Sequence, residues 1–254
     1  MIDLRLGDCL EVMKSIPDGS IDAIITDPPY GTTACKWDSV IDFELMWEQL
    51  NRIIKPNGAI VLFGSEPFSS ALRMSNIKNY KYDWIWEKNL PTNFLNARKQ
   101  PLRKYETISI FCNKTNIYYP VLEDKPKENI RSNSNLFKSK NNGAYGKIKD
   151  KYNRVENRVI PHDKNYPCNI IKIDIEHRIK RVHPTQKPIL LMEYLIKTYT
   201  NENETVLDFT MGSGSTGVAA KNLNRNFIGI EQDENYFKIA EERINKQEKQ
   251  LKIL

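Results

Sequence analysis

Paired cysteines are missing from this sequence. Its four, Cys9, Cys35, Cys112 and Cys168, are scattered with no short repeated spacing, which argues against both a disulfide framework and a zinc site. Packing thiols in a reducing compartment are expected instead. Long apolar runs are missing too: no stretch approaches the roughly 20 residues that span a bilayer. Met1 leads directly into an amphipathic strand pattern, with neither a signal peptide nor a lipidation site. These absences point to a soluble, cytoplasmic protein with no membrane partner.

Hydrophobic residues make up 40% of the 254 positions, enough for one large α/β domain or a core domain with an insert. The net charge of +6 is unevenly spread. Residues 88–187 carry 22 Lys+Arg against 9 Asp+Glu, a net of +13, and the remainder carries 16 against 23, a net of −7. A basic middle on an acidic scaffold suggests a polyanion contact made by one region. A solvated, loop-rich surface would give the same count.

Apolar runs at residues 21–25 and 59–63 read as strands buried on both faces, and residues 2–6 as a further strand. Between them, Asp42 can cap a helix with Phe43, Met46, Trp47, Leu50, Ile53 and Ile54 on one face, ended by Pro56 and Gly58. The order is βαβα, which implies a mostly parallel sheet covered by helices. Runs at residues 82–86 and 107–111 read as strands at the far side of the sheet, joined by a loop at 93–104 rich in Asn, Arg and Lys. From Asn113 to about Arg181 no period is sustained, and the segment reads as an insert.

Several polar residues follow strands in this pattern. Asp8 follows the first strand, and Asp27-Pro28-Pro29-Tyr30 follows the second. In open α/β sheets, ligands bind at that edge. A carboxylate, a rigid proline carbonyl and an aromatic ring can together grip a flat molecule bearing an amino group, such as a nucleic-acid base. A strand-ending turn with a half-buried tyrosine is the plainer alternative. Further on, Pro188 can open a helix, leaving Lys187 at its amino end as a lone cation, unfavourable to the helix dipole unless an anion binds there.

Residues 206–209 read as a strand leading into Thr210-Met211-Gly212-Ser213-Gly214-Ser215-Thr216-Gly217, and residues 227–230 as another ending in Glu231. The glycine spacing fits a dinucleotide loop, with an acid about 20 residues on for ribose hydroxyls. A redox enzyme is one reading. Asp208 opposes it, because a carboxylate just before the loop repels a pyrophosphate and suits an ammonium or sulfonium. S-adenosylmethionine carries both, and its carboxylate would want a cation such as Lys187.

A doubly wound nucleotide-binding sheet normally begins with its glycine loop, and here the loop lies near the carboxyl end. In this order the sequence resembles the β group of bacterial and phage amino-group DNA methyltransferases, in which the catalytic motif precedes the cofactor motif. Three blocks carry the resemblance: Asp27 to Tyr30; His183-Pro184-Thr185-Gln186-Lys187-Pro188; and Asp208 to Gly217 with Glu231. Residues 93–98 and 101–106 look like a fourth.

The resemblance implies a circularly permuted, doubly wound, Rossmann-like S-adenosylmethionine-dependent methyltransferase fold, with a catalytic half at 1–112, a target-recognition insert at 113–181 and a cofactor half at 182–254. It implies that Asp27 and the Pro28 carbonyl accept hydrogen bonds from the target amine and that Tyr30 stacks on the base. Asp208, Gly212, Gly214 and Glu231 would hold S-adenosylmethionine, Lys187 would meet its carboxylate, Asp8 would lie by its adenine, and Thr216 would add a weaker contact. The implied substrate is double-stranded DNA and the implied product N6-methyladenine. The alternatives are N4-methylcytosine, whose enzymes tend to have Ser at the position of Asp27, and a non-catalytic DNA-binding regulator. Arg98, Lys99, Arg103 and Lys104 are candidate phosphate contacts. By analogy the protein is a homodimer, and without a nuclease motif both a solitary modifier and the partner of a restriction endonuclease stay open.

Overall fold

The protein is described here by a computed structural model covering residues 1–32, 38–126, 161, 163–175 and 186–251, with side chains through 246. His183, Pro184 and Thr185 of the second block lie outside the described residues, as does Cys35. The described elements are β1 (Ile2–Leu6), α1 (Cys9–Met13), β2 (Ile21–Thr26), α2 (Phe43–Ile53), β3 (Ile54–Gly64), α3 (Phe68–Ser75) and β4 (Tyr80–Thr92). A short 3-10 turn (Phe94–Asn96), β5 (Arg103–Phe111), β6 (Glu123–Asp124), β7 (Lys164–Asn165) and β8 (Ile170–Lys172) follow. The chain closes with α4 (Ile189–Tyr199), β9 (Thr205–Asp208), α5 (Ser215–Asn222), β10 (Asn226–Glu231) and α6 (Glu234–Leu251).

Eight strands form one sheet in the order β1-β10-β9-β2-β3-β5-β4-β8. The five from β1 to β3 are parallel, and β5 runs antiparallel to both β3 and β4. The two strands from the carboxyl end of the chain thus lie between β1 and β2, the two strands from its beginning. This is the physical form of the permuted order.

The continuous apolar strands arise because both sheet faces are covered. On β2 and β3 successive side chains alternate between two cores, as the two-residue period of a strand requires. Ala23, Ile25, Ala59, Val61 and Phe63 pack with Leu191, Leu195, Val218, Ala240 and Ile244 of α4, α5 and α6. Ile24, Ile60 and Leu62 pack with Met13, Met46, Leu50 and Leu72 of α1, α2 and α3. Three aspartates cap helices by accepting from free backbone N–H groups: Asp8 for α1, Asp42 for α2 and Asp233 for α6.

Two boundaries differ from expectation. Pro56 and Gly58 do not end α2; the helix stops at Ile53, and both residues lie in the first, irregular part of β3, where the register with β2 shifts. A proline is tolerated where the ladder is already broken. The chain also divides into two compact units, residues 1–119 with 168–254, and residues 120–167. The second contains the small β6–β7 pairing. Residues 168–175 leave the span read as an insert, because β8 pairs in parallel with β4 and the Trp86 indole donates to the Ile173 carbonyl at 2.8 Å. A three-residue strand is too short to show a period. Among the described residues, no helix is long and apolar enough to cross a membrane.

Gly217 sets the closeness of α5 to its neighbours. A Cβ there would lie 2.5 Å from Ile244 Cδ1 and 2.7 Å from Phe227 Cε1, both side chains fully buried. Alanine gains about 1 kcal/mol in helix propensity, but overpacking costs about 1–3 kcal/mol. With contacts as short as 2.5 Å the upper part of that range applies, so Gly217→Ala is expected to lower stability in urea melts by a net of up to about 2 kcal/mol; an unchanged midpoint would mean that α5 can shift outward freely.

Candidate active site

Because β1, β10, β9 and β2 are parallel neighbours, their carboxyl ends meet at one edge of the sheet. Asp8, Glu231, Asp208 and Asp27 stand there, around a cavity of about 330 Å³. Four carboxylates that are far apart in the chain converge through strand order alone.

The Asp27-Pro28-Pro29-Tyr30 turn is held from outside by Asp38, a buried acid eight residues past Tyr30. The backbone N–H groups of Tyr30, Gly31 and Thr32 donate to its carboxylate at 2.8, 2.9 and 2.9 Å, a small nest of donors closed by an anion. Gly31 permits this path with φ of +67°. The Tyr30 ring lines the cavity with Phe68 packed behind it, ring centroids 4.9 Å apart. Its hydroxyl donates to Asp27 Oδ1. Burial, then the Asp27 charge, pushes the phenol well above its ordinary pKa, so it stays protonated and remains a donor.

Asp27 Oδ2 accepts from Lys187 Nζ at 2.5 Å. Lys187, only 8% exposed, also lies 3.1 Å from Glu106 Oε2, and Lys88, 5% exposed, reaches Glu106 Oε1 at 3.0 Å. Two acids and two bases thus alternate in a buried row. Burial by itself would push Lys187 down, but the carboxylates of Asp27 and Glu106 outweigh it and raise the ammonium above its ordinary value. Burial would push Glu106 up, and Lys187 and Lys88 outweigh that, holding it below the carboxylate range. For Asp27 burial wins over Lys187, and its pKa is raised.

Asp208 is stabilised differently. It is 4% exposed, and its oxygens accept from Thr26 Oγ1 at 2.5 Å, Thr216 Oγ1 at 2.6 Å and the Thr210 N–H at 3.2 Å. These donors are neutral, so desolvation prevails and lifts its pKa to about 6. Thr210 Oγ1 also donates to the Asp27 carbonyl at 3.2 Å, tying the two strand ends together. Glu231 accepts from the N–H groups of Gly212 and Asp233, both at 2.9 Å. Asp8 accepts two backbone N–H bonds on a single oxygen, Oδ1.

The sequence model of a protein family described as DNA methylase, of the N6/N4 type, matches residues 21–242. The chain belongs to the N6/N4 DNA methylase family. The type II methyltransferase M.HpaI of Haemophilus parainfluenzae is 30% identical over 96% of this chain and 75% of its own length. M.HinfI of Haemophilus influenzae is 29% identical over 94% of this chain and 67% of its own. Among solved structures, the M1.HpyAVI–SAM complex has a TM-score of 0.64 at 30% identity, over 96% of this chain and 100% of that one. The cytosine-N4-specific PvuII DNA methyltransferase has a TM-score of 0.64 at 17% identity, over 95% and 86%, a likeness of fold alone.

Within the methylase, Asp8, Asp27, Pro28, Tyr30, Lys187, Asp208, Gly212, Thr216 and Glu231 all line the cavity. Four expectations change. Lys187 is not a lone cation, because Asp27 and Glu106 flank it. Thr216 turns its hydroxyl to Asp208, so it positions that acid. Gly214 stands behind the wall: with φ of +79°, its α-carbon faces Ala240, whose Cβ would lie 2.9 Å from an added Cβ, so its lack of a side chain serves α6. Gly212, by contrast, has open space where a Cβ would stand.

Arg103 is the fourth. Since β5 starts there, antiparallel to β3, its guanidinium reaches back to Ser65 Oγ and, at 3.4 Å, the Glu66 carbonyl. Lys104 pairs with Glu87 at 3.1 Å, while Arg98 and Lys99 are exposed. Sequence reading missed Asp38, Lys88, Glu106, Thr26 and Thr210 as site residues. Two of them carried a signal: Glu106 as the last residue of the fourth block, and Thr210 as part of the third.

Asp208 makes a pH-dependent contribution whose sign is fixed. Its folded pKa of about 6 exceeds the ordinary 3.8, so its stabilising effect is fully present below about pH 4 and lost as pH rises through about 6. At neutral pH the ionised, desolvated group costs on the order of 3 kcal/mol. The stability of Asp208→Asn relative to wild type is therefore expected to rise between about pH 4 and about pH 7, by up to about 3 kcal/mol in urea melts. A difference independent of pH would show that the carboxylate is not desolvated.

Proposed function

We propose that this methylase transfers a methyl group from S-adenosylmethionine to the exocyclic N6 amine of adenine at a specific site in double-stranded DNA. The observation that carries the proposal is the charge of the cavity wall. Asp8, Asp27, Asp38, Asp208 and Glu231 line it, and Lys187, the one cation among its described lining residues, lies between two carboxylates. Such a wall repels a pyrophosphate and suits a ligand bearing positive charge.

S-adenosylmethionine fits these residues. Asp208 suits its ammonium, Glu231 its ribose hydroxyls, Asp8 the neighbourhood of its adenine, and Gly212 leaves room for close approach. When bound it supplies a methyl group activated by a sulfonium. The chain's own residues prepare the acceptor. An exocyclic base amine is a poor nucleophile because its lone pair is delocalised into the ring. Asp27 and the Pro28 carbonyl, accepting its two N–H bonds, favour the localised, pyramidal state. The amine is out of reach inside a duplex, so the base is flipped out and Tyr30, backed by Phe68, replaces lost stacking. The raised pKa of Asp27 suits it to receive the surplus proton. A carboxylate at position 27, where related cytosine enzymes tend to have Ser, favours adenine over cytosine.

Target recognition is assigned to the segment between Asn113 and Arg181 without residues 168–175, whose strand β8 belongs to the main sheet. Arg98 and Lys99 are assigned to DNA phosphates: β4 runs parallel to β3 through their shared neighbour β5, so the loop after Thr92 leaves from the cavity edge of the sheet.

Expression in a methylation-free bacterium with genome-wide reading of modified bases is expected to reveal N6-methyladenine in one sequence context. Asp27→Ala is expected to lower transfer by about 10²–10⁴-fold. Methylated cytosine would refute the choice of base, and unmodified DNA would refute the activity. The Arg98→Ala/Lys99→Ala variant is expected to reduce the slope of log K against log salt by about 2, leaving the recognised site unchanged; a wild-type slope would exclude both residues from phosphate contact.

A further inference from the structure

Both oxygens of Asp27 are engaged, Oδ1 by the Tyr30 hydroxyl and Oδ2 by Lys187. An ammonium at 2.5 Å draws charge from the carboxylate that is to accept from an amine, and it occupies one of its two oxygens. Lys187 cannot leave for water, since it is buried against Phe63, whose ring centroid lies 5.1 Å from Nζ. Nor can it shed its proton between two carboxylates. It needs a second anionic station inside the protein.

Glu106 is built as that station. Its Oε2 is buried and lies 3.1 Å from Lys187 Nζ, a longer contact than the 2.5 Å from Nζ to Asp27. The ion pair is already made, and a small swing of the ammonium shortens it as the contact with Asp27 lengthens. Its other oxygen, Oε1, is fixed by Lys88. The carboxylate of Glu106 is thereby anchored on β5, opposite Trp86 of β4, and cannot follow Lys187 back toward Asp27. Lys88 also balances the charge of Glu106, so the row of Asp27, Lys187, Glu106 and Lys88 is neutral as a whole.

We infer that Glu106 is a positioning residue for methyl transfer: it receives the ammonium of Lys187 when Asp27 turns to the target amine. The inference rests on the reading of Asp27 as the acceptor of that amine. Glu106 touches no reacting atom and acts through Lys187. Lys88 keeps it in place.

The test compares wild type with Glu106→Gln and Glu106→Asp. The single-turnover rate on duplex DNA is measured together with the dissociation constants for S-adenosylmethionine and DNA. Glu106→Gln is expected to slow transfer by about 10²-fold, the order found for a misplaced catalytic group. Glu106→Asp, which keeps the charge one methylene further back, is expected to recover about half of that loss on a logarithmic scale. Both variants are expected to keep the two dissociation constants close to wild type. A loss of rate matched by an equal loss of S-adenosylmethionine affinity overturns the inference, because Lys187 would then serve the cofactor. So does a wild-type rate in Glu106→Gln or, should that variant fail to fold by its thermal melt, in Glu106→Asp. A wild type that transfers no methyl group to DNA overturns the functional reading itself and this inference with it.

Discussion

The ion pair between Asp27 and Lys187 joins residues 160 positions apart, one at the end of β2 and the other just before α4. It links the two halves of the permuted chain at the point where their strands meet. Burying two charges costs several kcal/mol per ion before their attraction is counted, so such a pair is weak evidence for stability. Removing one partner is a different matter, because it leaves an uncompensated charge in the interior. The pair therefore constrains everything around it. Glu106 and Lys88 complete its charge balance, and the Phe63 ring covers the ammonium.

Strand order supplies the rest of the site. β9 and β10 bring Asp208 and Glu231 between the ends of β1 and β2, so four acids meet without any long loop to carry them. The short hydroxyl contacts then knit neighbouring strand ends: Thr26 of β2 with Asp208 of β9, and Thr210 with the Asp27 carbonyl. The same edge position that gathers the acids also desolvates Asp27, Asp208 and Glu231. Their raised pKa values at Asp27, Asp208 and Glu231 are consequences of the architecture and not separate adaptations.

What could be read in the sequence follows from which signals are local. The apolar runs of β2 and β3 are short and rich in β-branched residues, which favours strands covered on both faces over buried helix, and Asp42 announces its helix by position. The acids after the strands were visible for the same reason. Their partners were not. Lys187 looks like a free cation because nothing in the six residues of its block reveals Glu106, which arrives from β5. Asp38 closes the Asp27 to Tyr30 turn from eight residues further on, and Lys88 sits in a strand whose period gives no hint that it is buried. Gly214 shares the glycine spacing of a nucleotide loop, yet its contact is Ala240 of α6. Spacing reports local backbone shape, whereas the choice between a ligand and a helix as the close neighbour is tertiary.

Asp27 and Asp208 show how one edge supports two kinds of carboxylate. Asp208 is buried and Asp27 half-buried, and both are raised by desolvation. Asp208 is solvated by hydroxyl and amide dipoles, which satisfy its lone pairs while leaving its full negative charge to be felt in the cavity. That is the environment suited to a cation. Asp27 belongs to a neutral row with Lys187, Glu106 and Lys88, so its field is largely cancelled at a distance whichever carboxylate the ammonium favours, and it acts only on what touches it. On the proposed function, a neutral amine needs that second kind of acceptor, one that offers lone pairs without drawing a cationic ligand away from Asp208. Environment thus divides the labour between two chemically identical groups. The division depends on Lys187 staying charged, which Asp27 and Glu106 together enforce.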